Sequence, residues 1–311
     1  MKIAVTGALG HIGSYLIRYL ASEFSDASVV MVDNLMTQRY CSLFNLPKEC
    51  NYHFIEGDIV NDDLHPMLEG ADIIIHLAAI TDAAGSFEQA DKVEHNNYEA
   101  TKNIVKYCSK HHIRLVTLSS TSVYGTQAEA VDENCIESEL QPQSPYAITK
   151  LKEEKFTQKF VTEKGLRAVI LRFGTIYGVS PGMRFHTAVN KFCWQAVMGQ
   201  PITVWKTAYD QKRPYLHLGD AAKAISFIIK KDLFDGQIYN VLTNNLTVRQ
   251  VVEEIILHVP NLEISFVENK IMNQLSYQVL SEKFTSKGFN FTGRFEDEIQ
   301  KTIALLKNKQ R

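Results

Sequence analysis

The first half of the chain alternates short apolar runs with longer segments of helical periodicity. Runs such as 3–5 and 73–75 are continuous stretches of Ile, Val and Ala, which is typical of parallel strands buried on both faces. Alternation of such strands with helices predicts an α/β fold with a doubly wound parallel sheet. The predicted strands are 2–6, 29–33, 52–56, 72–77, 113–119 and 166–173, and the main predicted helices are 91–110 and 145–164.

The regular alternation of predicted strands and helices is lost in the second half of the chain. Turn residues such as Pro181 and Gly182 separate shorter, mixed elements. The predicted elements here are helices over 220–230, 248–258 and 295–307 and a strand over 237–241. We therefore expect a large domain over residues 1–173, to which about 214–241 return, and a smaller C-terminal α/β lobe over 174–311.

A glycine-rich turn follows the first predicted strand. Gly7, Gly10 and Gly13 recur at intervals of three and open an amphipathic helix. Glycines in this arrangement let the backbone approach a pyrophosphate, whose charge the helix N-terminus favours. Asp33 ends the next apolar strand about 20 residues later, where a carboxylate binds the adenosine hydroxyls and repels a 2′-phosphate. The pattern predicts a Rossmann-type domain that binds NAD rather than NADP.

Composition excludes several classes of partner. The chain has 311 residues, 45% of them hydrophobic, with a net charge of −2 and a pI near 6.6, so it has no bulk attraction for nucleic acid or an anionic membrane. No apolar run is long enough to span a bilayer, and the N-terminus lacks a signal-peptide pattern. Five scattered cysteines without a C-x-x-C pair favour a reducing compartment, so we expect a cytoplasmic protein.

A tyrosine and a lysine lie one turn apart at the start of the predicted helix 145–164. The spacing puts the Tyr146 phenol and the Lys150 ammonium on one helix face. A nearby ammonium lowers the pKa of a tyrosine, which would make Tyr146 a usable base near neutrality. The strand 113–119 runs into a hydroxyl-rich stretch, 119–125, at the edge of the sheet where ligands bind.

With these motifs the chain resembles the extended short-chain dehydrogenase/reductases, in particular the nucleotide-sugar epimerase/dehydratase family and its UDP-glucose/UDP-galactose 4-epimerase-type members. The resemblance runs through most of the chain. Its motifs are Thr6-Gly7-x-x-Gly10-x-x-Gly13, Asp33-Asn34-Leu35, Gly57-Asp58-Ile59, His76-Leu77-Ala78-Ala79, Asn97-x-x-x-Thr101, the stretch 119–125, Tyr146-x-x-x-Lys150, Leu171-Arg172, Tyr177-Gly178, Arg213-Pro-Tyr-Leu-His217, Asp220 and Tyr239-Asn240-Val241.

The resemblance implies roles for individual residues. Tyr146 would take the proton of the sugar 4-hydroxyl while C4 delivers hydride to NAD, and Ser120 would hold the oxygen as it becomes a carbonyl. Lys150 would bind the cofactor ribose and lower the pKa of the tyrosine. The implied cofactor contacts are Gly7, Gly10, His11, Ile12, Gly13, Asp33, Asn34, Asp58, Ile59, Leu77, Ala78, Ala79, Asn97, Ser119, Tyr146 and Lys150.

The two residues after Ser120 bear on the reaction. Dehydratases of the family carry Asp-Glu there, and uronate decarboxylases carry a glutamate where Ser122 stands, whereas Thr121 and Ser122 are neutral and cannot replace such acids. We predict a 4-epimerase, which oxidises C4 transiently and reduces it again. A 4-dehydrogenase or reductase that releases or accepts a keto sugar stays open. So does a non-catalytic dinucleotide-sensing protein, although such proteins typically lose the tyrosine or lysine that this chain keeps.

The expected substrate is a nucleotide-diphosphate sugar. Arg213 aligns with an arginine that grips phosphate in the family, and Arg184 is a second candidate, because a planar guanidinium suits phosphate oxygens. We expect Thr121, Ser122 and Thr175 to contact the substrate, Thr175 standing where many epimerases have asparagine.

Two further expectations concern metals and assembly. Neither His11 nor His186 shares a ligand spacing with a carboxylate or cysteine, so we predict no metal site and interpret both as loop or surface histidines. The family usually dimerises through the two helices predicted at 91–110 and 145–164, and we expect a homodimer.

Overall fold

The computed structural model describes residues 1–81, 85–125, 130–268 and 277–307. Its strands are β1 Lys2–Thr6, β2 Ser28–Asp33, β3 Asn51–Glu56, β4 Ile73–His76, β5 Arg114–Ser120, β6 Ala130–Val131, β7 Ala168–Phe173, β8 Thr175–Tyr177, β9 Ile202–Trp205, β10 Lys212–His217, β11 Ile238–Val241, β12 Asn244–Thr247, β13 Ile264–Val267 and β14 Gln278–Val279. Its helices are α1 His11–Glu23, α2 His65–Leu68, α3 Ala90–His111, α4 Pro145–Lys164, α5 Ala188–Val197, α6 Leu218–Lys231, α7 Val248–His258, α8 Glu282–Thr285 and α9 Phe295–Lys307.

A seven-stranded parallel sheet forms the centre of the fold. Its strand order is β3-β2-β1-β4-β5-β7-β11. The side chains of Ile3 and Val5 pack against α1 and α6, whereas Ala4 packs on the other face against α2 and α3. The predicted doubly wound α/β fold is confirmed.

The strand order reverses beside β1, and this reversal creates the site. The chain first builds outward through β2 and β3, then crosses back to place β4 on the other side of β1. The loops after β1 and β4 therefore separate at the carboxyl edge of the sheet, which is where ligands bind in open α/β folds.

Local sequence signals set both ends of helix α4. The Ser144 hydroxyl accepts a hydrogen bond from the Ala147 N–H at 3.2 Å, and Pro145 occupies the first helical position. Gly165 ends the helix in the left-handed conformation at φ +65°. These residues explain why the predicted bounds 145–164 and the observed bounds of α4 coincide.

The later part of the chain adds smaller sheets. Strands β8, β10 and β12 form a three-stranded sheet, and β9 pairs with β13. Strand β11, which lies within the expected returning segment 214–241, joins the edge of the large sheet beside β7. The division into a domain over 1–173 and a lobe over 174–311 stays a prediction. Within the described ranges, no helix is both long and apolar enough to cross a membrane.

Candidate active site

The glycine-rich turn between β1 and α1 is packed too closely for side chains. Gly7 has φ +65°, and a Cβ there would lie 2.7 Å from the backbone nitrogen of Ala78. A Cβ on Gly13 would lie 2.4 Å from the carbonyl oxygen of Gly7. Gly10 has more room, with its nearest contact at 3.3 Å. The turn can therefore hold its backbone N–H groups open to a ligand only with glycine at positions 7 and 13.

The carboxylate of Asp33 is fixed by the backbone around it. One oxygen accepts a hydrogen bond from the Leu9 N–H and the other from the Leu35 N–H, each at 3.0 Å. Asp33 ends β2 and remains partly exposed. Each oxygen keeps a further lone pair for a ligand hydroxyl, as the prediction of a ribose contact requires.

A pocket of about 150 Å³ lies over the glycine turn. Arg39 and Met36, which follow β2, also line it and were not among the predicted contacts. The predicted cofactor residues that line it are Gly7, Gly10, His11, Ile12, Gly13, Asp33, Asn34, Asp58, Ile59, Leu77, Ala78 and Ala79. The shape and composition fit a dinucleotide, and the individual contacts stay predictions.

Asn97 is buried beside the loop after β4. Its side chain is 1% exposed and lines neither cavity of the site. Its amide oxygen accepts from the Ile80 N–H at 2.7 Å, and its amide nitrogen donates to the Ile80 carbonyl at 2.8 Å. Asn97 thus holds the loop after β4 in place, and its contact with the cofactor stays a prediction.

His11 is not a surface histidine. It is buried in the first turn of α1, and its Nε2 lies 2.8 Å from the carbonyl oxygen of Gly178. Burial, and next the charge of Arg184, lower its pKa to about 3. The imidazole is therefore neutral, and it ties the glycine turn to the segment after β8.

A larger cleft of about 430 Å³ adjoins the first pocket. The two share Ile12, Leu77, Ala79, Thr81 and Arg184 in their linings. The predicted residues that line the larger cleft are Ser119, Ser120, Ser122, Tyr146, Lys150, Thr175, Arg184 and Arg213. The fold thus brings residues from β5, α4, β8 and β10 to one cavity.

Ser120 is arranged to donate a hydrogen bond into this cleft. Its hydroxyl oxygen accepts from the backbone N–H of Ser122 at 3.2 Å and from the Ser122 hydroxyl at 2.9 Å. With its acceptor positions occupied, its own proton is left for another oxygen.

Thr121, one of the predicted substrate contacts, is buried, and its contact with substrate stays a prediction. Its side chain is 3% exposed and does not line the cleft. Its hydroxyl donates to the Phe173 carbonyl at 3.4 Å, and its carbonyl accepts from the Tyr277 hydroxyl at 3.0 Å. The chain turns in a short 3-10 helix at this point, so that Ser122 rather than Thr121 faces the cavity.

Tyr146 and Lys150 lie together, but the electrostatic expectation was wrong in its net direction. The Lys150 nitrogen is 5.9 Å from the centre of the Tyr146 ring. Burial raises the pKa of Tyr146 above its ordinary value and outweighs the opposing charge of Lys150. The ammonium donates to the Leu118 carbonyl at 3.0 Å and to Glu153 at 2.8 Å. The pair alone does not make Tyr146 a base near neutrality.

The larger cleft is cationic. Arg184, Lys191 and Arg213 line it, and no Asp or Glu does so among the described residues. Arg213 donates to Gln211 at 3.1 Å and forms no salt bridge within the described ranges. Burial lowers its pKa, but an arginine stays charged in this setting. Such a cavity suits an anionic ligand.

The geometry agrees with what sequence comparison finds. The family model of the NAD dependent epimerase/dehydratase family matches residues 3–241. The chain belongs to this family. The match confirms the resemblance drawn from the motifs and, with it, the predicted class of NAD-dependent enzyme.

Individual relatives agree with the family. The uncharacterized UDP-glucose epimerase YtcB of Bacillus subtilis is 33% identical over 250 residues, which are 78% of this chain and 76% of that protein. A trifunctional UDP-glucose 4,6-dehydratase/3,5-epimerase/reductase of Arabidopsis thaliana is 30% identical over 97% of this chain, which spans 46% of that longer protein. The structure of UDP-glucuronic acid 4-epimerase from Bacillus cereus with UDP-glucuronic acid and NAD has a TM-score of 0.87 and 25% identity, covering 99% of each chain.

Sequence reasoning missed contacts between distant segments. Ser180 donates to the His11 carbonyl at 2.9 Å, and the Gly182 N–H donates to Ser14 at 2.9 Å. It also missed Glu153, the buried partner of Lys150. The three-residue spacing from Lys150 on a helix was a usable signal for Glu153, but no local signal indicated that the segment after β8 docks on the glycine turn.

Proposed function

We propose that this protein is an NAD-dependent nucleotide-sugar 4-epimerase. The observation that carries the proposal is one cleft lined by Ser120, Tyr146 and Lys150 that opens onto the pocket of the glycine turn. A hydride donor or acceptor in the pocket and a sugar in the cleft would meet beside a proton-transferring side chain.

The surroundings of Ser120, Tyr146 and Lys150 allow each of these residues a separate role in the proposed reaction. NAD, when bound, would accept the C4 hydride and return it. Tyr146 takes the proton of the 4-hydroxyl and later gives it back. Ser120 donates its hydrogen bond to the same oxygen as this becomes a carbonyl, which stabilises the 4-keto sugar. Lys150 uses two of its three N–H groups on Leu118 and Glu153, leaving one for a ribose hydroxyl.

The lining of the cleft separates epimerisation from dehydration. Elimination of a C6 hydroxyl needs an acid and a base beside that carbon. Ser122 is neutral, Thr121 is turned into the interior, and the described lining of the cleft has no carboxylate. Oxidation and re-reduction at C4 need no such pair.

Isotopic labelling tests the proposal against its alternatives. We expect a nucleotide sugar with deuterium at C4 to yield the epimer with the deuterium retained, because the same hydride returns. A 4-dehydrogenase would pass deuterium to a second acceptor and release a keto sugar. No conversion across UDP, GDP, CDP and dTDP sugars, with NAD bound, would favour a sensor and overturn the proposal.

The charge of the cleft favours a sugar that is itself anionic. A diphosphate carries about two negative charges, whereas Arg184, Lys191 and Arg213 supply three positive ones besides Lys150, whose charge is paired with Glu153. We propose a uronic acid as the sugar, as in the Bacillus cereus enzyme whose structure was solved with UDP-glucuronic acid. UDP-glucuronic acid should then have a kcat/KM at least about tenfold above that of UDP-glucose, because its carboxylate makes one additional ionic contact. Preference for UDP-glucose would exclude the uronate.

We also propose a cytoplasmic homodimer. Helices α3 and α4 pack side by side, and Ile148 of α4 keeps 41% of its surface exposed, which would suit burial against a second copy. Light scattering at micromolar concentration should give twice the chain mass, and a monomer would refute the dimer. All five cysteines are free, which fits a reducing compartment; cell fractionation would check the location.

A further inference from the structure

Glu153 is a buried carboxylate beside the lysine of the site. Glu153 and Lys150 are 4% and 5% exposed, and the Lys150 ammonium donates to Glu153 Oε2 at 2.8 Å. The hydroxyl of Thr101, on α3, donates to the same oxygen at 2.9 Å. The other oxygen, Oε1, is buried and has no hydrogen-bond partner among the described residues.

Stability does not account for this arrangement. The desolvation of two buried charges offsets most of their attraction, so a buried ion pair stabilises a fold little compared with apolar side chains of the same size. A carboxylate oxygen left unpaired in the interior adds a further cost of about 1–3 kcal/mol. A group kept at such a cost is better explained by its effect on Lys150.

Lys150 has two neighbours that can serve as its counter-ion. One is the Glu153 carboxylate, and the other is the phenolate that Tyr146 forms when it acts as a base. We propose that Glu153 is a positioning residue that holds the Lys150 ammonium and competes with the Tyr146 phenolate for its charge. The proposal rests on the proposed function, in which Tyr146 is the base.

This competition makes the base dependent on a further positive charge. While Glu153 is ionised, the Lys150 charge is already offset, and a phenolate at Tyr146 would leave the buried cluster negative. A phenolate therefore forms readily at Tyr146 only when a cation binds beside the cluster. The nicotinamide ring of oxidised NAD carries such a positive charge. Tyr146 would stay protonated, and hence ready to return a proton, once the cofactor is reduced.

Burial raises the pKa of Glu153, while the Lys150 ammonium and the hydrogen bonds from Lys150 and Thr101 oppose that effect and favour the carboxylate. Burial raises the pKa of Tyr146, Lys150 opposes that effect, Glu153 adds to it, and Arg184 opposes it. Glu154 is held by Arg172 in a buried salt bridge of its own. His76, at the end of β4, is neutral because burial lowers its pKa to about 3. Glu153 is thus the negative group that acts on Tyr146 through Lys150.

Substitution of Glu153 by glutamine tests the proposal. Glu153→Gln keeps the shape and removes the charge, so the phenolate becomes the counter-ion of Lys150. We expect the pKa of Tyr146 to fall by about one unit, because the Lys150 ammonium then lacks its other counter-ion and favours the phenolate more strongly. The readout is the ¹³C resonance of labelled tyrosine Cζ against pH, with and without NAD, assigned by its loss in Tyr146→Phe. No nucleotide sugar is needed, so the result is independent of the proposed reaction.

A matched control separates charge from packing. Thr101→Val removes the hydrogen bond to Glu153 and keeps the carboxylate, so Tyr146 should titrate within about 0.3 units of the parent. Glu153→Leu removes the charge without leaving an unpaired amide, and it replaces the glutamine variant if that one does not fold. In an active enzyme, the acid limb of kcat/KM should move to lower pH in the charge-removing variants. An unchanged Tyr146 titration in them, or an equal shift in Thr101→Val, would overturn the proposal.

Discussion

At the scale of single residues, the reactivity of Tyr146 depends on a balance between burial and charge. Burial disfavours the phenolate, and Lys150 favours it. Ser120 contributes differently, because two hydrogen bonds from Ser122 fill its acceptor positions and direct its proton outward. The two hydroxyls therefore have distinct roles, one exchanging a proton and the other steadying an oxygen.

Tyr146→Phe should remove the proton acceptor and leave the rest of the site intact. We expect kcat to fall about 10³-fold, the usual scale for loss of a positioned acid–base group. NAD binding, followed by protein fluorescence, should weaken by less than about tenfold, because the phenol is one of many predicted cofactor contacts and a single hydrogen bond contributes about 0.5–1.5 kcal/mol. Turnover near that of the parent would remove Tyr146 as the base.

At the scale of elements, the turn between β1 and α1 depends on how closely backbones approach. The Gly7 carbonyl stands where a Cβ on Gly13 would be. The helix can begin under the turn only because both positions lack side chains. The turn can therefore bind a phosphate only because its glycines allow this close packing of the backbone.

Gly13→Ala should consequently disturb the fold as well as the ligand site. We expect a loss of about 2 kcal/mol in the free energy of unfolding, typical of a forced overlap, together with weaker NAD binding. Urea unfolding measures the first effect. Gly10→Ala is the control, since its Cβ would meet only one contact at 3.3 Å; if both variants lose equal stability, the close approach is not the cause.

Helix α4 is also tied to the sheet by a buried ion pair. Arg172 of β7 donates two hydrogen bonds to Glu154, at 2.8 and 2.6 Å, and both side chains are nearly inaccessible. The pair lies one residue from Glu153, so it holds the helix that carries the site.

Glu154→Gln should leave the Arg172 charge buried without its partner. We expect the free energy of unfolding to fall by about 3 kcal/mol, measured in urea. The comparison is Lys152→Ala, which removes the surface ion pair between Lys152 and Glu94. Both of these side chains are nearly half exposed. The free energy of unfolding of this variant should fall by less than about 1 kcal/mol. Equal losses in Glu154→Gln and Lys152→Ala would contradict the difference assigned to buried and exposed ion pairs.

At the scale of the whole molecule, the segment after β8 connects the second half of the chain to the glycine turn. His11 contacts Gly178, Ser180 donates back to His11, and Arg184 of the same region lines both cavities. Glu298 of α9 accepts from the Val179 N–H at 2.8 Å. Residues far apart in sequence thus share one surface around the ligands.

Two buried neutral histidines should make the whole fold sensitive to acid. Burial lowers the pKa of both His11 and His76 to about 3, whereas an unfolded chain has histidines near 6.5. Below pH 6.5 the unfolded state binds protons that the folded state excludes, so stability falls as pH drops toward 3. The loss from pH 7 to pH 5 should be about 4 kcal/mol for the two together.

Urea unfolding at the two pH values measures this slope. His76→Asn should remove about half of it, about 2 kcal/mol, because one of the two groups no longer titrates. A pH dependence unchanged by the His76 substitution would show that other groups are responsible.

Local pattern was sufficient for the seven strands of the large sheet and for the kind of cofactor, but it did not indicate α5 or the strands β8, β9, β10, β12 and β13. Apolar runs and the capping residues around α4 act over a few residues, and the spacing of Gly7, Gly10, Gly13 and Asp33 can be read within one strand–helix–strand unit. They determined the parallel sheet, the phosphate turn and the meeting of tyrosine and lysine on one helix face. The family motifs extended this to a class of reaction.

The tertiary structure decided which side chains face the cavity and what charge they carry. Thr121 turns inward while Ser122 turns to the cleft, and Asn97 binds backbone instead of lining the pocket. Burial raises the pKa of Tyr146 more than the charge of Lys150 lowers it. Orientation and desolvation depend on neighbours from β5, α3, α4 and the segment after β8, and no run of sequence contains those neighbours.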